Sequence, residues 1–190
     1  MGTQLKAEAL IVLTVFMLAI LYGALLPPDY KSSVTSSAKE VLAPVSDFVK
    51  KNPIKTFLSL PFIILYNNLR VAIVNLLLGV TLLAPLGIAW FNGFIVGSIA
   101  TYGNVTKNII LLLPHGVIEL TAILYSAALG LRVGVELVKK ALLKRGSPVE
   151  AFKYALSKFK LIFILLLIAA FVESYITPLI YFLHIIITGS

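Results

Sequence analysis

Residues 109–131 read IILLLPHGVIELTAILYSAALGL. The run is long enough to cross the hydrocarbon core of a bilayer, which takes roughly 20 apolar residues as a helix. It contains one acid, Glu119, one histidine, His115, and one proline, Pro114. A soluble helix would alternate an apolar stripe with a charged face. This one is apolar on every side except around His115 and Glu119, so its solvent is lipid and its polar residues are exceptions that need a reason.

Working outward, similar apolar runs cover 7–26, 54–83, 86–102 and 161–187. With 109–131 they predict an all-α, polytopic membrane helix bundle of about five transmembrane helices. Composition agrees: 59% of the 190 residues are apolar and 13% are charged, against roughly 25% charged in a soluble domain. The mean hydropathy is +1.01. The absence of cysteine excludes disulfides, thiolate metal sites, iron–sulfur clusters and cysteine nucleophiles. No phosphate-binding loop or dinucleotide fingerprint is present. The chain reads as one membrane domain over 1–190, with a first span in 1–29, an interfacial segment in 30–53, a core of broken helices in 54–134, a basic loop and amphipathic helix in 135–160, and a last span in 161–190.

Two segments between the spans are amphipathic. In 30–52, Val34, Ala38, Val41, Leu42, Val45, Phe48 and Val49 recur at helical spacing opposite polar residues, with Pro44 as a break. Ser147-Pro148-Val149-Glu150 has the form of a capping box, followed by Phe152, Ala155, Leu156 and Phe159 on one face among Lys153, Lys158 and Lys160. Both predict helices resting on the membrane surface. The net charge of +8 therefore falls where anionic headgroups, not nucleic acid, are the partner. Five passes put Lys6 and the eight bases from Arg132 to Lys160 on one side, nine in all. Six bases, Lys107 and five from Lys31 to Lys55, lie on the other. The count favours an inside amino terminus, although 86–102 is short and glycine-rich enough to dip into the bilayer and return.

A charge at membrane depth costs about 2.5–3.5 kcal/mol on insertion scales, which singles out Arg70, Glu119, Glu173 and His115, with Asn67, Asn68, Asn75 and Asn92 as weaker cases. At about 100° per residue, Asn68, Asn75 and Gly79 share a face. Pro114 suits a helix start, with His115 and Glu119 one turn apart behind it. Glu173, Thr177, Tyr181 and His184 form a stripe on the last helix. These faces are expected to converge, with Arg70 neutralising one of the two acids and the other protonated, hydrogen-bonded, or paired with His115 or a metal. The same cluster also reads as a buried ion pair that only fixes helix register. His115, Glu119 and Glu173, with His184 as a more distant fourth, are the candidate ligands of a divalent metal such as zinc, though the second histidine of a zinc-protease helix is missing. Gly93-x-x-x-Gly97 and Gly130-x-x-x-Gly134 are small-residue pairs for close helix packing; a dimer interface is their other use.

The segments Asn68-Leu69-Arg70, Phe91-Asn92-Gly93, Pro114-His115-Gly116-Val117-Ile118-Glu119, Gly130-Leu131-Arg132-Val133-Gly134 and Glu173-Ser174-Tyr175-Ile176-Thr177-Pro178 together resemble the stage II sporulation protein M family. The resemblance covers roughly 54–178 and implies a polytopic membrane protein that serves as scaffold or anchor for other membrane or envelope proteins, in spore formers for cell-wall hydrolases. From the residues themselves two other functions stand beside it: a transporter or channel-like protein for an ion or small solute, lined by Asn68, Asn75, Glu119 and Glu173, and an intramembrane metal-dependent enzyme using His115, Glu119 and Glu173. Neither histidine has an evident partner serine, and no other catalytic motif is visible.

Overall fold

The computed structural model describes residues 2–37 and 53–188, which are helical apart from short turns, with no strand among them. Besides a short helical segment at 28–37, six α-helices follow in order among the described residues: α1 (Gly2–Leu25), α2 (Pro53–Leu77), α3 (Leu83–Ala100), α4 (Val105–Leu143), α5 (Pro148–Phe171) and α6 (Thr177–Thr188). A 3₁₀ turn, Leu78–Thr81, links α2 to α3, and a π-helical turn, Val172–Ile176, joins α5 to α6 without a break. Five helical stretches are long and apolar enough to cross a membrane: Leu5–Leu25, Phe57–Thr81, Leu83–Ala100, Val105–Leu143 and Pro148–Ile187. The third is one uninterrupted helix of 18 residues, about 27 Å long, which is long enough to cross the hydrocarbon core.

Glycine decides which helices touch. In α3, Gly93 lies against the backbone of Phe16 and Gly97 against that of Ile20, while Gly23 of α1 meets Phe94 and Ser98. The three contacts advance together along both chains, so α1 and α3 run parallel. Likewise Gly130 meets the Asn75 carbonyl and Gly134 that of Gly79, so α2 and α4 run parallel. A side chain at any of these glycines would collide with backbone. Both small-residue pairs are thus used within the chain.

Three expectations about continuity change. Pro114 does not start a helix: α4 starts nine residues earlier, where the Asn104 side chain accepts from the Lys107 N–H, and runs through Pro114 for 39 residues, about 58 Å. Inside a membrane bundle a helix passes through proline because leaving it would strand more backbone groups than the proline does. Pro148 does occupy the first turn of a helix, but Ser147 makes no side-chain cap; its N–H instead donates to Glu136 Oε2 at 2.9 Å. That helix is no separate surface element either, because it continues into the last span. α4 and α5 therefore form a hairpin whose basic end runs past the apolar stretches: from Arg132 to Leu143 is about 17 Å of helix. Of the amphipathic segment in 30–52, residues 30–37 are helical, in a helix that starts at residue 28, and Lys31 Nζ donates to the Ala24 carbonyl at the end of α1 at 2.7 Å. Val41, Leu42, Pro44, Val45, Phe48 and Val49, with Ala38, lie outside the described residues.

A second proline shows how the bundle repairs itself. Pro61, inside α2, has no N–H for the carbonyl four residues earlier, that of Phe57. The Tyr175 hydroxyl donates to that carbonyl at 2.7 Å, and the Phe57 and Tyr175 rings pack with centroids 4.7 Å apart, tilted by 49°. The hydroxyl comes from the π turn, which ends two residues before Pro178 and widens the helix where a regular bond to Ser174 cannot form.

Candidate functional site

His115 and Glu119 stand one turn apart on α4, and Glu173 comes from the π turn. One donor atom of each lies within 4.8 Å of the others. Both acids lie at the middle of their apolar runs: Glu119 is one residue from the midpoint of 109–131, and Glu173 one residue from that of 161–187. All three side chains are half-buried. Thr177, buried one turn after Glu173, has its hydroxyl 3.3 Å from His115 Nδ1. Asn68, buried on α2, hydrogen-bonds the Glu119 carboxyl through its side chain. Five of the expected residues thus meet: Asn68, His115, Glu119, Glu173 and Thr177.

The others do not. Arg70 was expected to neutralise an acid here, but it is exposed, because two residues along a helix turn it about 200° from Asn68. It has no hydrogen-bond or ion-pair partner among the described residues. Asn67 is exposed beside it. Asn92 donates back to the Ile88 carbonyl of its own helix at 2.8 Å. His184 is outside the three-residue group: it shares a face with Thr177 but lies two turns, about 10 Å, further along α6. Asn75 lies a little nearer the basic end than the cluster and is fully buried, donating to Ser126 Oγ at 2.9 Å and the Ile123 carbonyl at 3.3 Å. It locks α2 to α4 beside the glycine contacts.

A second set of buried charges escaped the sequence reading. Glu8 of α1 is 4% exposed. Arg132 Nη1 donates to Glu8 Oε1 at 3.0 Å, and Nη2 lies 3.1 Å from Glu136 Oε1. Lys139 Nζ meets the same Glu136 oxygen at 3.1 Å. Two acids and two bases thereby close a neutral network that fastens α1 to the α4–α5 hairpin. The only sign of it in the sequence was the Arg132/Glu136 spacing of four and the lone acid in the first apolar run. The contrast with the central cluster is sharp: among the described residues no lysine or arginine pairs with Glu119 or Glu173.

The central donor set, one imidazole and two carboxylates from two elements, is of a composition that holds divalent metals. Beyond it toward the basic end, Gly79, Gly130 and Gly134 bring the backbones of α2 and α4 into contact. No side-chain-wide passage runs between those two helices there.

Comparison with known proteins gives a match to the model of one family, described as stage II sporulation protein M, over residues 11–178. Two archaeal proteins of Methanocaldococcus jannaschii are similar. The one named uncharacterized protein MJ0793 is 37% identical over 123 residues, covering 60% of this chain and 69% of that protein. The one named uncharacterized protein MJ0706 is 33% identical over 115 residues, covering 58% of this chain and 52% of that protein. The chain thus spans about half the length of the latter. No solved structure matches.

Proposed function

The chain belongs to the stage II sporulation protein M family and is a multi-pass membrane protein; from that premise we propose that it works as a scaffold, holding another membrane protein against the outer face of α2. Arg70 carries this reading. It lies one residue from the midpoint of the span Phe57–Thr81, so it stands at mid-bilayer depth, and it is exposed with no partner among the described residues. Arginines near helix ends reach the headgroups, but one at the middle cannot, and facing lipid it costs at least about 2.5–3.5 kcal/mol. Tyr66, 69% exposed, and Asn67 lie within one turn of it on the same side and supply further hydrogen-bonding groups. A partner helix with a carboxylate at the same depth would satisfy all three. Transport along the α2/α4 interface is the weaker reading, since the glycine contacts close that route.

The Arg132–Lys160 bases and Lys6 share one side of the bundle, and the positive-inside rule assigns it to the cytoplasm. Because the chain has no cysteine, single cysteines at Ser157 and Ser33 would report sidedness cleanly with an impermeant thiol reagent. Labelling of Ser33→Cys alone in intact cells is expected.

The scaffold reading is tested by a photo-crosslinking residue at Tyr66 in the full-length chain in its native membrane. One defined protein adduct is expected, lost in Arg70→Glu and restored when the acid facing it in the adduct is changed to lysine. Adducts with lipid alone, or an adduct indifferent to Arg70→Glu, would overturn the reading. A second copy of this chain as the adduct would make the scaffold an oligomer.

A further inference from the structure

We infer that His115, Glu119 and Glu173 form a binding site for one divalent transition-metal ion of the zinc type at the centre of the bilayer. The site is independent of the scaffold reading, which rests on the opposite face of α2.

The first argument is charge. Glu119 and Glu173 face each other across a few ångströms at mid-membrane depth, where a lone carboxylate is as costly as a lone base. Elsewhere this chain answers the same problem with arginine and lysine, as at Glu8 and Glu136. At the centre the third member is instead an imidazole, a neutral nitrogen donor and the commonest metal ligand. A bound dication would balance both carboxylates.

The second argument is the supporting shell. Metal-binding histidines are held by a hydrogen bond at the nitrogen that does not bind, and the Thr177 hydroxyl lies 3.3 Å from His115 Nδ1, leaving Nε2 for the ion. The Asn68 amide holds Glu119 in the same way. The π turn that presents Glu173 is a device found often at functional sites.

The third argument is metal choice. One nitrogen and two oxygens suit zinc and its first-row neighbours. Magnesium keeps several waters and prefers an all-oxygen octahedron, which this small donor set does not offer. Tetrahedral zinc, with bonds of about 2.0–2.1 Å, spaces its ligands about 3.3 Å apart. Binding therefore draws the donors, now spread over as much as 4.8 Å, inward by about an ångström. Three protein ligands leave the fourth position open to water or to a ligand from the bilayer.

The test uses the untagged full-length protein, purified in detergent, stripped with chelator and titrated with zinc or cobalt(II). The wild type should take up one ion per chain, and cobalt should give the visible absorption of a four- or five-coordinate centre. His115→Gln, Glu119→Gln and Glu173→Gln should each abolish stoichiometric binding, while Thr177→Ala should weaken it 10–100-fold with the cobalt bands shifted. If Glu119→Gln or Glu173→Gln fails to fold, Thr177→Ala and His115→Gln carry the test, as neither removes a carboxylate. The proposal is overturned if the wild type binds no ion at micromolar zinc, which would mean that a proton stands between the carboxyls, or if the variants bind as the wild type does.

Discussion

Along α4, about 20 Å apart, lie two groups of buried charged side chains that are neutralised differently. Near the basic end, Glu8, Arg132, Glu136 and Lys139 balance one another's charges and the Ser147 N–H donates to Glu136 Oε2, while Glu8 Oε2 stays buried without a hydrogen-bond partner among the described residues. At the middle of the apolar runs, two carboxyls and an imidazole come together with amide and hydroxyl support but with no lysine or arginine among the described residues. The first group is charge-balanced within the chain and joins α1 to the hairpin. The second has no lysine or arginine partner among the described residues, and under the metal-site proposal a bound dication would balance it. On that proposal, charges that hold the fold together stand apart from charges that bind a ligand.

Removing one member of the charge-balanced group should have the largest effect. Arg132→Leu leaves Glu8 and Glu136 without their shared base, and should cost about 3–5 kcal/mol, read as a large fall in melting temperature in detergent. Gly130→Ala tests the backbone contact beside it: the new methyl meets the Asn75 carbonyl, and about 1–3 kcal/mol of destabilisation is expected. Tyr175→Phe removes the donor that serves the Phe57 carbonyl and should cost about 1–3 kcal/mol; little change there would mean that water or lipid headgroups reach that carbonyl. In the central group the sign should differ. Without metal, Glu173→Gln removes one of two facing acids and should leave stability unchanged or raise it. At the hairpin surface, Glu150→Gln breaks a 3.7 Å pair with Lys153 that is largely exposed, and no more than about 0.5 kcal/mol is expected from unfolding curves.

Much of the central cluster was legible before any coordinates, because a polar residue in a 20-residue apolar run is conspicuous and helical spacing says which others share its face. Asn68, His115, Glu119, Glu173 and Thr177 were found that way. Arg70 was misassigned because α2 carries polar residues on two faces and one-dimensional spacing does not say which turns inward. The continuity of α4 through Pro114 was missed because a rule learned in water, where a broken helix can be hydrated, fails where backbone groups have no solvent. The Glu8–Arg132 pair joins residues 124 positions apart, and neither residue's local pattern announces the other. The Phe57–Tyr175 repair likewise depends on a tertiary contact.

The comparison between the two groups is tested most directly by melting the wild type, Glu8→Gln and Glu173→Gln, each with chelator and with saturating zinc. Glu8→Gln should be less stable than the wild type in both conditions and should still be raised by zinc. Glu173→Gln should equal or exceed the wild type in chelator and should lack the zinc-dependent rise, which for the wild type at a hundredfold excess over the dissociation constant corresponds to about 2.7 kcal/mol. If Glu173→Gln instead loses stability as Glu8→Gln does, and zinc moves none of the three proteins, the central group is a structural network like the other and this account is wrong.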